Sequence, residues 1–337
     1  MIKDVTMRPT GLLFLAGLML AGAPATAVTY QVEGRISASG DGGWDLASFD
    51  SAAKRFYVTH GDVVVAADVV HATASAPFSG IARGHAAVPI SGQSLLAVTS
   101  GRDDSVRLFD TTSGAEIARI PVGGNPDAAF YDAKAGRLVV MNAKSGTVSV
   151  IDVVARKVTS TITLKPGLEI GTQDGDILLV NNEDSSELET ANLRTGQAGP
   201  AIALTGCEGP TGLAFDTATG QAISACANHK AAVVDVRNHR VTALLDIDAG
   251  PDTVMIDQKR RMALIPCGRD GTLVLIALDG GAHVVGRVTT EAGARTGAVD
   301  PDSGKVYLPT AELVPAAAGG RPQPKPGTFH ILVLAPR

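Results

Sequence analysis

The feature that most restricts this chain is a repeat. Short apolar strands end in Asp or a polar equivalent at Asp50, Ser91, Asp132, Asp174, Asp216, Asp257 and Asp300, at intervals of 41, 41, 42, 42, 41 and 43 residues. A second ladder ends a third strand of each unit at Asp68, Asp110, Asp152, Asn192 and Asp235. The sixth and seventh units put Leu278 and Leu334, or a neighbour, at that place. The strands are apolar and β-branched, as in Leu138-Val139-Val140-Met141 and Leu273-Val274-Leu275-Ile276, with no capped 3.6-residue period. Four short strands in roughly 40–45 residues, repeated seven times, predict an all-β, seven-bladed β-propeller nearly free of helix.

The acids of the ladders read as turn formers. In Asp132…Gly136, Asp216…Gly220 and Asp300…Gly304, and in Asp110…Gly114 and Asn192…Gly196, the first residue opens a turn that glycine closes. A short polar side chain bonds turn amides, and glycine supplies the positive φ. The seventh unit runs out one strand short. The segment 29–36 is a strand without a blade of its own, so it is expected to be the outer strand of blade 7 and to close the ring. One segment breaks the period: residues 311–327 carry four prolines and three glycines. It lengthens a loop of blade 7 and favours an extended path.

The N-terminus reads as a secretory signal peptide. Lys3 and Arg8 precede the apolar run 11–21, and Ala25-Thr26-Ala27 offers the small residues that signal peptidase reads. Residues 1–27 are therefore assigned to the signal and 28–337 to a single propeller, exported to the periplasm or secreted. No other stretch approaches the roughly 18 apolar residues of a membrane span.

Composition narrows the function classes. With 45% apolar residues in 337 the chain holds a sizeable core and is not disordered. A net charge of −5, no Lys/Arg run longer than Lys259-Arg260-Arg261 and 4% aromatics argue against gripping nucleic acid. There is no Gly-x-Ser-x-Gly elbow, P-loop, dinucleotide fingerprint or Cys-x-x-Cys-His.

Tyr57-Val58-Thr59-His60, Gly146-Thr147-Val148-Ser149-Val150-Ile151-Asp152 and Gly124-Asn125-Pro126 resemble the hallmarks of the YVTN-repeat (YncE-like) propellers. The resemblance covers about residues 29–337. It implies the seven-bladed fold and an exported bacterial protein, and it leaves function open. Cys207-Glu208-Gly209-Pro210-Thr211-Gly212, followed by Cys226, is similar to a subset of that family. There a Cys before the fifth blade's first strand is matched by one ending its second. A Cys207–Cys226 bond would close a loop of about 20 residues and stabilise the fold by around 3 kcal/mol in the chain-entropy model. Cys267 holds the equivalent place 41 residues on from Cys226 and is an alternative partner for it. The thiol left over is expected to face the mouth.

Propeller topology puts first-strand starts and second-strand ends on one face, around the axis. The mouth is then expected to collect Asp45, His60, His85, Arg102, Asp127, Asn142, Glu169, Asn182, Thr211, Asn228, Asp252 and Arg269, with Thr296. Imidazole and carboxylate at Asp45, His60, His85 and Asp127 suit a transition metal, and carboxylates alone suit calcium. No local motif supports a metal there, so no cofactor is assigned. The acidic run 181–187 lacks the spacing of a calcium loop and reads as solvated. The expected function is binding of a small molecule or an envelope protein through the mouth, without chemistry. The alternatives are a lactonase-like hydrolase or lyase using His or Glu of the mouth, and an envelope scaffold using the blade rims and the proline-rich loop.

Overall fold

The computed structural model describes Met1, Asp4, residues 28–315 and residues 322–337. The proposed signal peptide, apart from Met1 and Asp4, and positions 316–321 of the proline-rich segment lie outside the described residues. Among the described residues there is no helix. Seven antiparallel sheets follow one another around an axis, as the spacing predicts.

Blade 3 shows the pattern. Its strands, from the axis outward, are Pro126–Asp132, Arg137–Asn142, Thr147–Asp152 and Lys157–Thr163. Both faces of a blade lie against neighbours, so the middle strands are apolar without alternation. Leu138 and Val140 pack toward blade 2 with Ala86 and Leu108, while Val139 and Met141 pack toward blade 4 with Leu178 and Val180. A separate core fills each of the seven interfaces between blades. The outermost strand, half in water, alternates partly buried and exposed residues.

The acids of the ladders do form turns. Asp132 Oδ1 accepts from the amides of Lys134 and Ala135, both at 3.1 Å. Gly136, at φ +68°, donates its amide to Asp132 O at 2.8 Å. The same glycine bond recurs at Asp110, Asn192, Asp216 and Asp300.

Ring closure is as expected. Tyr30–Ser37 pairs antiparallel with His330–Pro336, which pairs in turn with Val306–Thr310. Three local features differ from the simple repeat. The outer strand of blade 4 is broken into Gln197–Ala198 and Ile202–Ala203, because Pro200 has no amide to donate. The inner strand of blade 7 shrinks to Ala298–Val299. The described part of the proline-rich segment includes a short antiparallel pair, Leu313–Val314 with Gln323–Pro324.

Candidate functional site

A backbone irregularity builds the site. In blades 1 to 5 the ladder between inner and second strand slips after its first pair: Trp44 faces His60, but Ala47 faces Val58. The same slip follows Gly84, Pro126, Leu168 and Pro210. A bulge leaves its residue out of the ladder and re-aims the side chain. The residues on the bulges are Asp45, His85, Asp127, Glu169 and Thr211. Asp252 and Thr296 hold the same place in blades 6 and 7.

His85 is the centre of one side of this ring. It is 4% exposed, with Nδ1 2.7 Å from Asp45 Oδ2 and 3.7 Å from Asp127 Oδ1. Burial alone would lower its pKa, but the Asp45 hydrogen bond and the two carboxylate charges outweigh burial and raise it. Across the ring stand more acids. Burial, and then the charges of Asp127, Glu183, Asp252 and Asp45, push the Glu169 carboxyl up to about 9. Burial first, with neighbouring carboxylates adding, lifts Asp127 and Asp252 to about 6 each, against the pull of His85 and Arg295. Arg295 donates Nε to Asp252 Oδ2 at 2.7 Å and a terminal nitrogen to Trp44 O at 2.8 Å. Glu169 has no hydrogen-bond partner among the described residues.

Glu169 therefore opposes folding at neutral pH. Its pKa rises on folding from 4.5 to about 9, so its stabilising proton is fully held below pH 4.5 and lost as pH climbs through 9. Glu169→Gln should stabilise the protein at pH 8 by on the order of 2 kcal/mol, after discounting for water in the mouth. Thermal melts from pH 5 to 9 should show the variant's advantage growing with pH. Parallel curves would refute this account of Glu169.

Beneath the ring the axis holds a cavity of about 340 Å³ walled by residues such as Leu46, Ala86, Ala128, Ile170 and Thr253. A larger cavity, about 830 Å³, lies toward the opposite face between blades 4 and 5, where the broken outer strand leaves room. It contains none of the ring residues.

The second-strand ends do not join the ring. His60 is buried against Phe329, with ring centroids 4.4 Å apart. Burial lowers its pKa. Asn142 donates to Thr147 and Ser149 within its own blade. Asn182 donates to Pro166 O and Glu189, and accepts from the Ser185 amide. Asn228 clamps the loop at Gly206 and Glu208. Arg102 and Arg269 are exposed and tied by their backbone amides to Ala82 and Ala249. Thr211 and Thr296 reach neighbouring carbonyls, Pro251 O at 3.4 Å and Asp45 O at 2.9 Å.

Two charged members were not foreseen. Arg295 stands one residue before Thr296, in a register otherwise held by Trp44, Gly84, Pro126, Leu168, Pro210 and Pro251. A lone charge in that column was the available signal. Glu183 belongs to the run read as solvated. It is exposed, yet its charge reaches Glu169 and Asp252. No local pattern marks it.

Cys207 and Cys226 form the disulfide. Cys267 is free, but it does not face the mouth. It is buried in the core between blades 5 and 6, and burial pushes its thiol up to about 12. Such a thiol is unreactive at neutral pH.

No protein-family profile matches the chain, and no curated protein does. Solved structures do. A chain of the hydrazine synthase of Kuenenia stuttgartiensis aligns with a TM-score of 0.69 at 14% identity, over 82% of this chain and 95% of that one. A chain from a mitotic checkpoint complex aligns with a TM-score of 0.72 at 13% identity, over 98% of this chain and 99% of that one. At such identities the likeness is one of fold alone, and the fold is the seven-bladed β-propeller.

Proposed function

We propose that this is an exported binding propeller of the YVTN-repeat (YncE-like) kind, which takes a small, positively charged ligand at its axial mouth. One observation carries the choice of ligand charge. Asp45, Asp127, Glu169, Glu183 and Asp252 act on one another across the mouth, and among the described residues Arg295 and His85 are their only ion-pair partners. Like charges crowded in a partly dry site repel, and a cation relieves them. The cavity beneath has the volume of a small-molecule site.

Export is supported by the charged, apolar and small-residue order of the first 27 residues, and by a disulfide suited to an oxidising compartment. The family reading is supported by the position of its motifs. Tyr57-Val58-Thr59 is buried in the second strand of blade 1, and Val148–Asp152 lies in the third strand of blade 3.

Calorimetric titration tests the reading with spermidine as cationic probe and succinate as anionic control. Spermidine should bind, more weakly as salt rises, and much more weakly to the Glu169→Gln/Asp252→Asn double variant. Preference for succinate, or unchanged spermidine affinity in the double variant, would defeat it.

A further inference from the structure

Within that cation-binding reading, we infer that Asp45, His85 and Asp127 form a binding site for a divalent transition-metal ion. His85 Nδ1 and one oxygen of each carboxylate all lie within 4.8 Å of one another. Metal bonds of about 2.0–2.2 Å to nitrogen and oxygen set ligand atoms at a comparable spread around an ion. Imidazole nitrogen with two carboxylates suits zinc, manganese, iron(II) or cobalt, whereas calcium and magnesium take oxygen throughout. The ion would replace the proton between His85 Nδ1 and Asp45. Two carboxylates balance its charge.

The support around these three residues is specific. Each of their backbone carbonyls is held by a threonine hydroxyl: Thr296 on Asp45 O at 2.9 Å, Thr59 on His85 O and Thr99 on Asp127 O, both at 2.8 Å. Glu169 and Asp252 carry no such pin. Ligands fixed by their surroundings lose less freedom when a metal binds. A separate observation points to a guest in the cavity below the ring, which none of the three ligands lines. Thr253 is 7% exposed and lines the cavity below the ring, and its hydroxyl has no hydrogen-bond partner. A buried hydroxyl without a partner is costly unless something fills the space beside it.

The test is equilibrium dialysis of the full chain against Zn²⁺, with Co²⁺ as a visible-absorption probe of nitrogen and oxygen ligation. One ion per chain is expected. Affinity should fall about tenfold or more in His85→Gln and in Asp127→Asn. His71→Ala, an exposed histidine, should leave it unchanged. Circular dichroism confirms folding, and Asp127→Asn, whose side chain is partly exposed, serves if His85→Gln fails to fold. Zn²⁺ binding that survives both substitutions overturns the inference. So does the absence of Zn²⁺ and Co²⁺ binding. Spermidine titration of the same samples separates the two readings: spermidine without metal removes only the metal site, and neither ligand removes both.

Discussion

A chain lacking residues 28–37 should fail to form a ring that melts cooperatively. The missing strand, Tyr30–Ser37, pairs along its length with His330–Pro336 and is the outer strand of blade 7. Its removal exposes a row of unpaired backbone groups on that strand. It also strips Tyr30 and Ile36, each 3% exposed, out of two interblade cores. Burial of each such side chain contributes about 2–3 kcal/mol. Tyr30 further donates its hydroxyl to the buried carboxylate of Asp257 at 3.1 Å, and burial beside that charge pushes the phenol well above its ordinary value. The sum approaches the net stability of a typical domain, about 5–15 kcal/mol. Calorimetry should show no cooperative transition, or one at least about 10 °C lower. A synthetic peptide spanning the deleted strand should restore part of the transition. A truncated chain melting within a few degrees of the parent would show that closure is not what holds the ring.

Arg261→Ala should be the most damaging single exchange on the face opposite the mouth. Its guanidinium binds both oxygens of Asp216, at 2.7 and 2.6 Å, and also Asp279 at 2.9 Å. The Asp216 side chain is fully buried, and the Arg261 hydrogen bonds hold its carboxyl down at about 2 despite burial. Removing the arginine strands a buried carboxylate, which costs about 3 kcal/mol when one partner is partly exposed, as Arg261 is. The sign with pH is fixed. A depressed carboxylate stabilises the fold above its unfolded value of 3.8, and that contribution fades as pH falls toward 2. The loss in Arg261→Ala should therefore be large at pH 7 and shrink at pH 3 in urea melts. Adding Asp216→Asn should recover part of it at pH 7. A loss below about 0.5 kcal/mol would place this pair with ordinary surface ion pairs.

The ring was legible because its signals are local. A turn needs a polar opener and a residue at positive φ a few residues apart, and seven such strand ends at one period leave little choice of fold. The mouth was half legible. Topology placed inner-strand starts and second-strand ends on one face, but their side chains part company there. Bulges turn Asp45, His85, Asp127 and Glu169 out of their ladders, and the slip of register is written in pairing, which no single strand reveals. The second-strand ends have nearer partners: Asn182 serves its own turn, and His60 lies beneath Phe329, which arrives from the other end of the sequence. Cys267 misled for a related reason. Its place in the repeat is that of Cys226, but the last residue of a second strand can point into the interblade core, as Cys226 also does.

The bulges have a consequence for how such a chain can change. None of the seven residues at the ring position belongs to an interblade core, and the contacts that pin three of them are made to main-chain oxygens. The acidic side chains there work as letters written on a frame that is packed without them, while Thr211 and Thr296 tie neighbouring strands through Pro251 O and Asp45 O. Exchanging an acid for an amide at Asp127, Glu169 or Asp252 alters what the pore accepts and removes no side chain from the apolar cores between the blades. Descendants of one such frame are free to diverge in ligand long before they diverge in shape.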